Sequence, residues 1–316
     1  MTAPLASTTP GRGVRILAYA TGTVTLLLLV AGGLVTSKGA GMAVPDWPTS
    51  YGYNMFTFPV SRWIGPIAFE HMHRLLGSLV GLCTLALAGT VGRFDRRCWM
   101  RWLGVLAVIA VTFQGVLGGF RVIRNERLLA VVHGSFAHAF FALTITIALA
   151  TSRAWDVAAA ERRDGVNASG VRALALATVV LVYGQILLGA RLRHFSGTVF
   201  LHLGGALVVT AAGVVLRYRA ARVLPGTVAA RFAFGLQHVI ALQLALGVFA
   251  YVAKFMAPVP ELAPWPVVLL TVAHQVNGAL VLSTALATAL LTFRTTAPAG
   301  AAAVTLPEGS IAGAHG

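Results

Sequence analysis

Apolar runs of about twenty residues recur along this entire chain, each ended by a short basic segment. Wound as a helix, a run of that length matches the hydrocarbon thickness of a bilayer. In lipid every backbone polar group must be satisfied within the protein, and a helix does this inside a single segment. The runs predict eight transmembrane helices, at 14–36, 65–90, 101–120, 128–150, 171–192, 197–216, 231–253 and 265–293. Composition agrees: 57% of the 316 residues are hydrophobic and 10% charged, against about a quarter charged in a soluble protein. The expected class is an all-α polytopic membrane protein.

The net charge of +15 would suit nucleic acid if it were clustered, but the arginines are spread between the apolar runs. They read as a topology signal instead. Of the 24 Lys and Arg residues, 15 flank one set of helix ends and 8 the other, with Arg74 inside a helix. That bias predicts cytoplasmic termini and an outward-facing segment at 37–64. The prolines and aromatics of that segment suit the membrane interface. Cys83 and Cys98 form neither a disulfide pattern nor a metal motif. Arg12 and Arg15 precede the first apolar run, and "AYA" at 18–20 lies at the wrong end of it for a cleavage box, so the first helix is expected to be retained. The N-terminus lacks the Arg- and Ser-rich pattern of a transit peptide, so a bacterial inner (cytoplasmic) membrane is expected.

The chain repeats. "QGVLGGF" at 114–120 recurs as "QLALGVF" at 243–249, and His73 and His202 share the same offset of 129 residues. "VVHGSFAHAFFALT" at 131–144 pairs with "VAHQVNGALVLST" at 272–284. Each half holds an even number of helices, so both insert the same way up. The pattern predicts two tandem pseudo-symmetric four-helix bundles: 1–150, a cytoplasmic linker at 151–170, 171–293, and a flexible tail at 294–316.

Four histidines occupy matching places: His73, His133, His202 and His274. Each lies several residues inside an even-numbered helix, at a depth of roughly 8–14 Å for a rise of about 1.5 Å per residue. A single histidine in a membrane helix is explained by one interhelical hydrogen bond. Four at one depth, two per bundle, instead suggest paired axial ligands for haem iron. Zinc or copper would want a third ligand near each pair. His71 lies about 200° around the helix from His73 and cannot share its pocket. His238 and His315 are read as structural, while His138 and His194 stay open.

Glu70 sits one turn before His73, on the same face; in the second half that position is Val199. It is either the ion-pair partner of Arg74 or a group for proton-coupled chemistry at one site only. The outer segments carry Arg121, Arg124, Arg127, Arg191 and Arg193, which would bind porphyrin propionates or simply be solvated.

In order, "GGLVTSKGAGMAVPDWP", "FEHMHRLLGS", "QGVLGGFRV" and "VVHGSFAHAFFAL" resemble the haem A synthase family. The resemblance spans all eight helices and is strongest over 30–145. It implies oxidation of a ring methyl of haem O to the formyl of haem A by successive hydroxylations, for terminal oxidase biogenesis. It further implies that His202 and His274 ligate the iron of a haem b cofactor, that His73, His133 and Arg74 belong to the haem O site, and that Glu70 is catalytic. Propionate contacts would fall to Arg121, Arg191 and Arg193. The partners implied are haem O, the lipid bilayer, a haem O synthase and terminal oxidase assembly proteins; self-association stays open and nucleic acid is excluded. Many family members carry paired cysteines in the first outer loop, one just before PDWP. Here the stretch reads "GAGMAVPDWP", a cysteine-lacking subtype. Two other functions fit the histidines: a di-haem b cytochrome that only passes electrons, and a haem-binding transporter or chaperone.

Overall fold

A computed structural model describes residues 11–195, 197–253 and 265–296. Eight long helices carry the apolar runs: α1 (Arg12–Ser37), α2 (Pro66–Phe94), α3 (Cys98–Arg124), α4 (Arg127–Ala150), α6 (Ser169–His194), α7 (Val199–Val223), α8 (Val228–Tyr251) and α9 (Trp265–Thr295). All eight are long and apolar enough to cross a membrane, and no strand occurs among the described residues. The chain is an integral, multi-pass membrane protein. His315 and tail residues 297–316 lie outside the described residues.

Several helices run past the apolar stretches that announce them. α3 extends to Arg124 and α4 begins at Arg127, so Arg121, Arg124 and Arg127 are helical rather than loop residues. Arg191, Arg193 and His194 likewise form the last turn of α6. A basic side chain there complements the helix dipole, and its long stem reaches past the apolar zone. Local chemistry sets the ends. Pro66 opens α2 after Gly65 at φ 56°, Asn125 closes α3 in the left-handed region, and the Thr227 hydroxyl accepts the Ala230 N–H at the start of α8.

In each half, neighbouring helices close a ring, α1–α2–α3–α4 and α6–α7–α8–α9. The halves meet where α1 and α4 pack on α9, and α4 on α6. A cluster of Leu29, Phe141 and Ala279 fills that seam. The stretch expected as a linker, 151–170, contains a further helix, α5 (Arg153–Ala160). Its Ala158 is buried with Leu149, Leu224, Val228 and Leu291, tying the two halves at that end.

At the opposite end, residues 38–65 fold over the first half. Val44 and Phe58 are buried, and an added Cβ at Gly119 would run into the Trp47 indole. The Arg74 guanidinium, reaching up from α2, donates to the carbonyls of Val44 (2.8 Å), Asp46 (2.7 Å) and Thr49 (2.9 Å). Asp46 in turn accepts the N–H groups of Tyr51 (2.7 Å) and Gly52 (2.8 Å). Burial pushes the Asp46 carboxyl up, but these bonds and the Thr49 hydroxyl outweigh it and hold the group below its ordinary value. A depressed folded-state pKa stabilises above the unfolded value, about 3.9, and that stability is lost as pH falls through the folded value. Amide exchange over residues 46–53, corrected for its intrinsic pH dependence, should show protection from neutral pH down to the carboxylate range and loss below it. Asp46→Asn should remove the pH dependence; an unchanged profile would count against this anchoring.

Candidate functional site

One cavity of about 750 Å³ runs through both halves and is lined by His73, His133, His202 and His274. The histidines form two pairs of nearly identical geometry. The His73 and His133 ring centroids are 6.5 Å apart at 79°; those of His202 and His274 are 6.2 Å apart at 79°.

Glycines create this spacing. An added Cβ would lie 3.2 Å from His73 Cε1 at Gly32 and 2.9 Å from His133 Cε1 at Gly118. Gly189 and Gly247 stand in the same way against His202 and His274, at 3.0 Å each. In each case the glycine belongs to the preceding long helix, whose bare backbone admits the ring. The sequence carries a signal for this that the histidine pattern alone misses. Glutamine precedes three of these glycines by four residues: Gln114, Gln185 and Gln243. Each reaches the histidine that packs on its glycine. Gln114 Nε2 donates to the His133 carbonyl at 3.1 Å. Gln185 Nε2 donates to the His202 carbonyl at 2.7 Å and lies 3.0 Å from His202 Nδ1. Gln243 Nε2 lies 3.2 Å from His274 Nδ1. Leu28 occupies the fourth position, before Gly32.

Glu70 also lines the cavity and is 4% exposed. Its Oε2 accepts the Val44 N–H at 2.9 Å and its Oε1 accepts Arg74 at 3.0 Å. The ion pair with Arg74 is therefore formed, and the same carboxylate faces the cavity beside the first pair. Arg74 commits four of its five N–H donors, three to the covering loop and one to Glu70.

The predicted arginines separate. Arg121 and Arg193 line the cavity, one near each pair. No hydrogen bond engages the Arg121 guanidinium among the described residues. Arg193 donates to Gln275 Oε1 (2.9 Å), Ser37 Oγ (2.6 Å) and the Gly33 carbonyl (3.2 Å), all neutral. Arg191 is exposed, over the Phe195 ring. It lies two residues from Arg193, hence about 200° around the helix, so the structure does not bring it to the cavity.

The remaining histidines also sort. His71 is buried away from the pair, between Phe58 and Trp63, at ring distances of 4.9 and 4.7 Å. His138 bridges the seam, 2.7 Å from the Gly134 carbonyl and 3.3 Å from that of Gln275. His194 lines the cavity at the end of α6. His238 stays on its own helix, against the Phe234 carbonyl and ring.

Residues 15–199, more than half the chain, match the model of the COX15-CtaA family, described as cytochrome oxidase assembly protein. The chain belongs to this family. It is similar to the heme A synthase of Shouchella clausii, 26% identical over 191 residues, which are 59% of this chain and 61% of the relative. That of Alkalihalophilus pseudofirmus is 27% identical over 179 residues, 55% of this chain and 57% of the relative. That of Listeria monocytogenes serotype 4a is 29% identical over 145 residues, 45% and 46% of the two. This COX15-CtaA member thus spans about three fifths of the length of the relatives it matches.

The Glu70–Arg74 pair supplies a test of the covered site. Both side chains are under 10% exposed, so Arg74→Leu would leave a buried carboxylate unpaired and free the loop. Breaking such a pair costs roughly 3–5 kcal/mol. The variant should unfold at lower temperature in detergent, and a double variant with Glu70→Leu should recover part of the loss. Equal losses in both would refute the pairing.

Proposed function

We propose that the chain is a haem A synthase, converting a ring methyl of haem O to the formyl group of haem A. One observation carries this reading: two imidazole pairs share one geometry, and among the described residues only the first has a carboxylate beside it. Two equivalent electron-carrying sites would not need that difference. A heme A synthase is also what the matched relatives are named.

The donor chemistry fits haem. Among the described residues no three His, Cys, Asp or Glu gather around a possible metal. Each pair thus offers only two ligands, which suits an iron whose other four positions a porphyrin fills. Two metal–nitrogen bonds of about 2 Å, plus half a ring on each side, span roughly 6 Å, close to both observed separations. Arg121 and Arg193 support propionates. Each is a cavity-lining cation with no carboxylate within ion-pair distance among the described residues, and burying an unpaired charge is costly. In this reading they hold the propionates through charge-assisted hydrogen bonds, and Arg191 has no part in it.

His202 and His274 would hold a haem b cofactor, which when bound supplies one-electron redox chemistry. His73 and His133 would hold the iron of haem O. Glu70 then stands on the substrate side only. Its carboxylate, steadied by Val44 N–H and Arg74, accepts a proton at Oε2 or stabilises positive charge developing at the reacting methyl carbon. Arg74 acts by keeping the 38–65 loop closed over this carboxylate, which excludes water. Haem O synthase and terminal oxidase assembly proteins are the expected partners, in the inner membrane of a bacterium with the covered end outward.

Expressed with a haem O supply, the chain should yield haem A or its alcohol precursor on extraction and chromatography. Glu70→Gln should lower that yield by about 100-fold or more, the usual range for a lost acid–base group, with the pigment content of the membranes retained. Two haem b groups and no modified haem would instead identify an electron-carrying cytochrome. Weak, exchangeable haem would identify a carrier.

A further inference from the structure

The cavity around the first histidine pair has one wall built by α2 and α3, and these helices do not touch along their whole length. They meet at Gly104, where an added Cβ would lie 3.3 Å from Ala88 Cα. Gly81 and Gly77 precede Ala88 by seven and eleven residues, two and three turns along the same face of α2. Gly115 follows Gly104 by eleven residues, three turns along the same face of α3. All three therefore face the partner helix, yet an added Cβ at any of them would meet nothing within 4 Å. Between the Ala88–Gly104 contact and the covered end, α2 and α3 part. Gly77 and Gly115 line the cavity at that level. The gap ends about one turn beyond Gly115, where Trp47 of the covering loop packs on Gly119. What remains is a slot beside the first pair, bounded by Trp47 at one end and by Ala88 and Gly104 at the other. Leu82, Leu85 and Val116 are exposed on the same stretches of the two helices, so the slot gives onto an apolar, lipid-facing surface.

The second half repeats this wall with α7 and α8 but puts side chains in it. At the offset of 129 residues that relates His73 to His202, Gly77, Gly81 and Gly115 become Ala206, Thr210 and Leu244. All three line the cavity, so a methyl, a branched hydroxyl side chain and an isobutyl group stand where the first half has bare backbone.

We propose that the slot between α2 and α3 takes the isoprenoid tail of haem O, which passes between the helices into lipid while the macrocycle stays between His73 and His133. This rests on the haem reading given above. Haem O and haem b share iron, ring and propionates, and haem O adds one long isoprenoid chain. A site for haem O must house that chain. A gap in the helix wall does so without folding it back onto the ring, and lipid beyond the gap is as apolar as the chain itself. A site for haem b has no such chain to house, and side chains can occupy the wall. Selection between the two haems then comes from bulk in one half and its absence in the other, a steric rejection rather than an added attraction.

The test takes the full chain purified with haem b on the second pair and titrates the first pair, without oxygen, with haem O or with haem b. Binding is read from the absorbance of the added haem. Gly81→Thr with Gly115→Leu imports the second-half residues. It should weaken haem O by about 10-fold or more, the usual penalty for overfilling a packed site, and leave haem b as in the parent. Should those side chains prevent folding, the reverse exchange reads the same difference. Thr210→Gly with Leu244→Gly, in a His133→Ala background where only the second pair is complete, should raise the ratio of haem O to haem b bound there. Unchanged haem O affinity in the first variant, an equal loss for both haems, or an unchanged ratio in the reverse exchange would overturn the slot alone. Binding of both haems that His73→Ala and His133→Ala leave untouched would overturn the haem assignment beneath it.

Discussion

Four imidazoles deep among membrane-spanning helices are the constraint to which the rest of this protein answers. A polar ring in that setting is costly unless neighbouring backbone and side chains meet it. The chain meets it with close helix approach. Gly32, Gly118, Gly189 and Gly247 each admit a ring against bare backbone, and small residues are what allow helices to pack so closely in lipid. Glutamines one turn earlier then supply polar contacts to three of the four histidines. The two closed rings of helices, and the cavity through them, follow from holding these pairs at a fixed separation.

The sequence repeats across the two halves, and departures from the repeat set the halves apart. Glu70 and Arg74 tie the first half to its covering loop. The second half carries Val199 at the matching place, and two amides, Gln185 and Gln243, reach its histidines. Each difference is one side chain in an otherwise conserved position of the repeat, and each alters hydrogen bonding without altering the helix frame.

The seam gives the halves a common frame. Gln275, next to His274, is gripped at its side chain by Arg193 and at its carbonyl by His138. Arg193 also reaches Gly33 and Ser37 on α1. One residue of α9 is thereby fixed against three helices, α1, α4 and α6. The sequence leaves the role of His138 open; its two carbonyl partners come from its own helix and from α9, and only the packing brings the second within reach.

The sequence by itself determined the eight helices, the repeat and the four paired histidines. Apolar run length and the positions of polar residues inside such runs are local properties, and lipid admits few folds that satisfy them. It also separated His71 from His73, because helical angle is fixed by spacing alone; the same argument applied to Arg191 and Arg193 would have parted them too. Only the tertiary structure decided which arginine faces the cavity, that residues 38–65 cover the first half, and that the linker holds α5. Those facts depend on contacts between segments far apart in the chain, such as Arg74 with Val44 or Arg193 with Gln275. Such contacts are set by how helices approach one another at their glycines, and periodicity along one helix carries no record of that.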